Sequence, residues 1–256
     1  MAFFRRKIHK SVAENNSVEV TELDGIRQMH LGSKTVQSGM MVVSPLVLVF
    51  NYSRALMYFL LFRNDIKDLL MVGLGGASVT KYIHHYCPDI NQTVVEINQQ
   101  VIDVARSHFF MPDNDEKLNV LKADGLHYME NNPLSQDCLM IDGFDSDGIP
   151  DGFCTPDFFD LCYDVLKDKG IFLINLWGSD KNFDIYLQRI EQTFLGRVLV
   201  LPTGKPGNII VYAFKDPIKL TEKRLRERAL QLNHDHVMNF TEFLDKLHEQ
   251  NGYQKM

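Results

Sequence analysis

The sequence predicts an α/β fold: a doubly wound, mostly parallel sheet preceded by a small N-terminal β-hairpin domain. Three observations predict it. From Asp68 to about Phe194, short apolar runs alternate with segments of helical periodicity, as strands laid parallel through crossover helices require. The first of those runs breaks into "GLGGAS", Gly73 to Ser78, a glycine-rich turn between strand and helix that lets a ligand approach the backbone. Further upstream, Asp24-Gly25 divides two partly alternating runs in "VEVTELDGIRQMHL", a two-residue hairpin signal because both turn positions need positive φ.

The hairpin spans Val18 to Leu31. A helix is expected around Leu48 to Phe62, where Leu56, Phe59 and Leu60 fall at i, i+3 and i+4. Asp68 to Val72 reads as the first parallel strand, and the helix after the glycines carries Val79, Tyr82 and Ile83 on one face. "NQTVVEI", "KLNVLKAD", "QDCLMIDGF" and "IFLINLW" are the next strands, with helices "QQVIDVARSHF", "GLHYMEN" and "PDFFDLCYDVLKDKG" between them. The last of these is expected to close on Gly170 as a C-cap. A helix "KNFDIYLQRIEQTF" leads to an antiparallel pair, "RVLVLPTG" and "NIIVYAFK". From Thr221 the tail is charged and amphipathic and predicts two helices lying on the domain surface. The division is thus 1–44 for the small β domain, 45–215 for a Rossmann-like domain and 216–256 for a helical extension.

Bulk properties exclude several classes. At 256 residues the chain is one core domain with modest appendages. A net charge of −6 ill suits nucleic acid or an anionic membrane surface. The four cysteines form no CxxC pair and have no histidine cluster beside them, so free thiols in a reducing cytoplasm are expected, with no disulfide framework and no metal site. "MAFFRRKIHKS" lacks the apolar core of a signal peptide. "PLVLVFNYSRALMYFLLFRN" carries Asn51, Ser53 and Arg54 near its middle and predicts a buried helix rather than a membrane span.

Ligands of a doubly wound sheet bind beyond the carboxyl ends of its strands. The first strand ends in Gly73, Gly75 and Gly76, the second at Glu96, the third at Asp124, and the fourth at Asp142 with Asp145 close behind. A carboxylate at Glu96 can accept both hydroxyls of a ribose, and Asp124 can accept from an adenine amino group. Asp142 and Asp145 then lie where the reactive part of a ligand sits; two acids there can hold an amine or sulfonium, and one can take a proton. Each member alone has a bland alternative: Asp124 and Asp145 could simply cap helices. Their shared register at one sheet edge favours an adenosine-type ligand. NAD stays open on these residues, although Ser78 stands at the third glycine position of that fingerprint.

The blocks "LGSKTVQSG", "FNYSRALM", "LMVGLGGAS", "VVEINQQVIDVARSHF", "ADGLHYM", "DCLMIDGFDSDGIP" and "FFDLCYDVLKDKGIFLINLW", in this order from about Val18 to Phe214, resemble the spermidine synthase family of polyamine aminopropyltransferases, in its compact bacterial form. The resemblance implies an S-adenosylmethionine-dependent transferase type of Rossmann-like domain, with decarboxylated S-adenosylmethionine as co-substrate rather than a tightly bound cofactor. It implies a small-molecule amine acceptor, a diamine such as putrescine, and methylthioadenosine and spermidine as products. It also implies that no metal takes part and that copies pair through the N-terminal region. By motif, Gln37 would sit near the donor's sulfur and ribose, Glu96 on the ribose hydroxyls, and Asp124 with Gly125 on the adenine. Asp142 would be the catalytic acid of D-x-x-D and Asp145 would help grip the acceptor; Tyr52 falls where the family has an active-site tyrosine that lines the substrate site, and Asn175 roughly where some members have a polar acceptor contact.

The chain departs from the family pattern at four places. Gly76 stands where the family's glycine loop has an aspartate, which binds the donor's amine. Ser53 replaces a usual His or Gln, Asn98 a common Asp, and Leu201 the tyrosine before the late Pro-x-Gly loop. The nucleoside half thus matches better than the polyamine half. A methyltransferase using S-adenosylmethionine, or a non-catalytic relative that binds an adenosine ligand, are the alternatives.

Overall fold

In the computed structural model, which describes residues 6–13, 16–143, 150, 152–204 and 207–252, the chain begins as an antiparallel meander. β1 (Arg6–Ala13) pairs with β2 (Asn16–Leu23), β2 with β3 (Ile26–Leu31), and β3 with β4 (Ser38–Met41). Asp24 and Gly25 turn the second hairpin at φ of 52° and 75°, as the Asp-Gly signal requires. The sheet is larger than the hairpin expected from sequence. The basic N-terminal segment adds an edge strand, and "SGMM", too short to display alternation, closes the other side.

The helix expected over Leu48–Phe62 divides into α1 (Asn51–Leu56) and α2 (Phe59–Phe62). The Tyr212 hydroxyl donates to the Ala55 carbonyl at 2.7 Å, and the turn tightens through Met57 N to Arg54 O and Tyr58 N to Ala55 O, both 3.0 Å. Arg54, the charge inside this apolar stretch, donates from Nε to Leu48 O at 2.7 Å, tying down the approach to α1.

The larger unit then alternates: β5 (Asp68–Val72), α3 (Ser78–Tyr86), β6 (Asn91–Glu96), α4 (Gln99–Phe109), β7 (Leu118–Lys122), α5 (Gly125–Glu130), β8 (Gln136–Ile141), α6 (Pro156–Val165), β9 (Leu166–Trp177), α7 (Phe183–Thr193), β10 (Val198–Pro202) and β11 (Asn208–Phe214). The sheet has the order β10-β11-β9-β8-β5-β6-β7. β5 to β9 run parallel, while β11 is antiparallel to both β9 and β10. Alternate residues of β5 enter opposite cores: Leu69 and Met71 join one, Leu70 and Val72 the other. That is the behaviour of a strand covered on both faces. Strand order reverses at β5, where β6 lies to one side and β8 to the other, and a crevice opens at that switch point.

One expected boundary is wrong. The helix read as ending on Gly170 stops at Val165, and "LKDKG" belongs to β9. Gln136 pairs with Leu166 and Cys138 with Ile171, so the strand bulges between them, with Lys169 at φ 62°. Asp137 sits opposite the bulge, accepting from the Lys67 and Asp68 amides at 3.0 Å each and lying 3.4 Å from Arg63 and from Lys167. Pairing of Leu166 and Ile171 with β8, with Lys169 in the left-handed region between them, ends the helix at Val165.

The tail forms α8 (Glu222–Asp235) and α9 (Phe240–Asn251), both capped at their N-termini, by Thr221 and Asn239. They lie on the domain but are built into it: Phe240, Leu244 and Leu247 are buried, and Tyr58 meets the Phe240 ring edge-on at 5.1 Å. Among the described residues no helix is long and apolar enough to cross a membrane.

Candidate active site

A cavity of about 680 Å³ lies over the carboxyl ends of β5 to β9, roofed by the loop before β4 and by α1. Gly73 makes the floor possible. It holds φ of 97°, and a β-carbon there would overlap the Asp142 carbonyl oxygen, so only glycine lets the ends of β5 and β8 come this close. The volume is that of an ordinary small-molecule site.

Of the residues expected at the site, Gln37, Tyr52, Gly73, Gly75, Glu96, Asp124, Gly125, Asp142 and Asn175 all line this cavity. Asp145 lies outside the described residues. Gly76 does not line it. Its amide donates to Ser38 Oγ at 2.8 Å, and a β-carbon there would lie 2.9 Å from the Phe109 ring and 3.0 Å from Ser38 Cβ. The loop position therefore faces a packed β4 and α4 rather than the ligand space.

Glu96, at the end of β6, accepts from Leu74 N at 3.1 Å through Oε2 and from Asn98 N at 2.9 Å through Oε1. Burial raises its carboxyl pKa, and those backbone amides pull it back. Asp124 is the N-cap of α5: Oδ1 accepts from Leu126 N at 2.8 Å and His127 N at 3.2 Å. The capping alternative thus holds for one oxygen while the residue still faces the cavity. Ile97, Val101, Ala123, Leu126 and Phe153 supply apolar wall beside these two acids, a setting suited to a flat, uncharged base.

Asp142 follows β8, its amide donating to Val72 O at 2.9 Å. Asn175 Nδ2 donates to its Oδ1 at 2.8 Å. The carboxyl is half-buried at the cavity wall, and desolvation by the surrounding protein pushes its pKa up to about 6, with the Asn175 bond acting in the opposite sense. A carboxylate poised there can be ionised at neutral pH and still take a proton. Tyr52, from α1, donates to the Gln37 carbonyl at 3.0 Å; burial first, and then the Asp142 charge, hold its phenol well above its usual pKa, so it stays a neutral donor. Among the described residues lining the cavity there are three carboxylates, Glu96, Asp124 and Asp142, and no lysine or arginine. The field inside favours a cation.

Sequence reasoning assigned no role to Ser38, Asn51, Thr203 or Asn208, all of which line the cavity. Asn208 opens β11 directly opposite Trp177 on β9, and its Nδ2 donates to Asn175 Oδ1 at 3.0 Å. The available signal was a polar side chain starting an otherwise apolar strand. Leu201, in the place of the family's late tyrosine, is buried in the core, 1% exposed, and does not line the cavity.

The spermine/spermidine synthase domain matches residues 49–195. A polyamine aminopropyltransferase of Chromobacterium violaceum is 40% identical over 249 residues, covering 97% of this chain and 95% of that protein. A crystal structure of spermidine synthase with the transition-state analogue AdoDATO superposes with a TM-score of 0.74 over 94% of this chain and 85% of that one, at 19% identity, a likeness of fold. Human methyltransferase-like protein 13 in complex with SAH superposes with a TM-score of 0.65 over 72% of this chain and 91% of that one, at 26% identity. The matched domain, a relative aligned almost end to end and a cavity whose acids stand at successive strand ends lead to one assignment: the chain belongs to the spermine/spermidine synthase family.

Proposed function

We propose that this protein is an aminopropyltransferase that moves the aminopropyl group of decarboxylated S-adenosylmethionine to a diamine such as putrescine. The observation that carries the reading is Asp142: a carboxylate with a pKa near 6, held by Asn175, in a cavity that has two further acids and no described cationic side chain. Glu96 is suited to the ribose hydroxyls, and Asp124 with Gly125 to the adenine edge. Gln37 and Tyr52 would frame the sulfonium and the incoming amine. Asp145, outside the described residues, is proposed as a second acceptor contact.

The chemistry is direct displacement. The acceptor nitrogen forms a bond to the carbon next to the sulfonium, the C–S bond breaks, and its electron pair neutralises the sulfur, so methylthioadenosine leaves uncharged. The nitrogen gives its proton to Asp142, which passes it to solvent. Since the sulfonium is already an activated leaving group, holding the two partners in line supplies much of the acceleration. The protein is expected to release methylthioadenosine and spermidine from decarboxylated S-adenosylmethionine and putrescine; no methylthioadenosine above an Asp142→Asn control, with a panel of diamines, would refute the reading.

One observation favours a second reading, a methyltransferase using intact S-adenosylmethionine. Gly76 offers no counter-charge for a cationic donor tail, and Ser38 and Phe109 occupy the space a side chain there would need. Calorimetry separates the two: tighter binding of the intact donor supports methyl transfer, tighter binding of the decarboxylated donor supports aminopropyl transfer. Pairing of two copies through the small sheet fits the edge of β1, which no strand shares among the described residues, and is checked by light scattering. Four free thiols suit a cytoplasmic setting.

A further inference from the structure

Asp142 is the end of a chain of side chains that the expected roles leave unexplained. Asn208 Nδ2 donates to Asn175 Oδ1 at 3.0 Å, and Asn175 Nδ2 donates to Asp142 Oδ1 at 2.8 Å. Both asparagines are 4% exposed. They come from adjacent strands, at diagonal positions on one face: Asn208 pairs with Trp177 and Asn175 with Ile210.

The chain has a direction. An ionised carboxylate only accepts, so Asn175 must turn its NH₂ towards Asp142 and its carbonyl towards Asn208. Asn208 must then present its own NH₂. The cost is visible: Asn208 Oδ1 is buried without a hydrogen-bond partner among the described residues. Turning the Asn208 amide over would set two carbonyl oxygens against each other. Asn208 is also clamped from behind, its main-chain carbonyl accepting from both Thr203 N and Thr203 Oγ1 at 2.9 Å, while Asn51 Nδ2 donates to Thr203 O at 3.1 Å.

We propose that Asn208 is a positioning residue: through Asn175 it fixes which Asp142 oxygen is occupied and leaves the other free for the attacking amine. This rests on the aminopropyl-transfer reading. Besides Asn175, the Tyr52 phenol from α1 is electrostatically tied to Asp142, and the carboxyls of Glu96 and Asp124 line the same cavity. None of them donates to Asp142 in place of Asn175 among the described residues. Without Asn208, Asn175 is free to rotate, the anion loses its donor, and protonation of Asp142 becomes easier.

The test is a carbon-13 NMR titration of aspartate-labelled protein, with the Asp142 carboxyl assigned by its loss in Asp142→Asn. In Asn208→Leu, and in the smaller Asn208→Ala if leucine disturbs the fold, the Asp142 midpoint is expected to rise by about one pH unit. Asn175→Leu raises it at least as much, and the double variant raises it no further than Asn175→Leu alone. In turnover, kcat falls with the donor's KM unchanged. A folded Asn208 variant with a wild-type Asp142 midpoint overturns the proposal, as do strictly additive shifts. The titration is read without substrate, so a failure to transfer aminopropyl groups would strike the reaction and leave the coupling of these three residues measured on its own.

Discussion

Asp142 carries opposing demands from stability and from chemistry. Its folded-state pKa, near 6, lies above the ordinary aspartate value of 3.8. The folded protein therefore binds that proton more tightly than the unfolded chain, and the stability this confers is present below the ordinary value and lost as pH rises through about 6. Asp142→Asn removes the half-buried charge and keeps an acceptor for Asn175. Its thermal midpoint is expected to match wild type near pH 4 and exceed it at pH 8, read by calorimetry at the two pH values. Equal midpoints at both would mean that the carboxyl is not strained by its surroundings. The acids at the strand ends, Glu96, Asp124 and Asp142, were legible in sequence because a strand's carboxyl end and the residue finishing it are local facts. Asn208 was not: its reach to Asn175 depends on antiparallel register between β11 and β9, which no local pattern encodes.

At the scale of elements, β4 and the glycine loop form one packed unit. Ser38 accepts from Gly76 N, and Ser78 Oγ donates to Gly39 O at 3.3 Å. Gly76→Asp would drive a side chain into Phe109 and Ser38 and is expected to cost roughly 1–3 kcal/mol, measured as a lower urea midpoint. Adding Ser38→Gly should recover part of that loss. The glycine motif was visible in sequence; that Gly76 turns away from the cavity was not, because a four-residue edge strand and a helix decide it together. The bulge of β9 teaches the same lesson. "DVLKDKG" carries good helix formers and a terminal glycine, and pairing of Leu166 and Ile171 with β8 overrides them. Asp137→Ala, which leaves Arg63, Lys167 and two amides without their shared carboxylate, is expected to destabilise by about 3 kcal/mol in urea unfolding. A loss below about 0.5 kcal/mol would mean that these contacts contribute no more than exposed ion pairs.

Across the whole molecule, alternation of strands and helices was enough to read the doubly wound sheet, since apolar periodicity records which faces are covered. The cavity is a property of assembly. Its floor is the switch point at β5, its roof the loop before β4 and α1, and its far wall the antiparallel end of the sheet around Thr203 and Asn208. The central claim is that this cavity transfers an aminopropyl group with Asp142 as the proton acceptor. The most direct measurement is the pH dependence of methylthioadenosine release from decarboxylated S-adenosylmethionine and putrescine, for wild type and Asp142→Asn. Wild-type kcat/KM is expected to rise through an inflection near pH 6, and Asp142→Asn to lose that limb and about 10²–10⁴-fold in rate. Methylthioadenosine release that is indifferent to Asp142→Asn, or methyl transfer from intact S-adenosylmethionine with no methylthioadenosine formed, would contradict it.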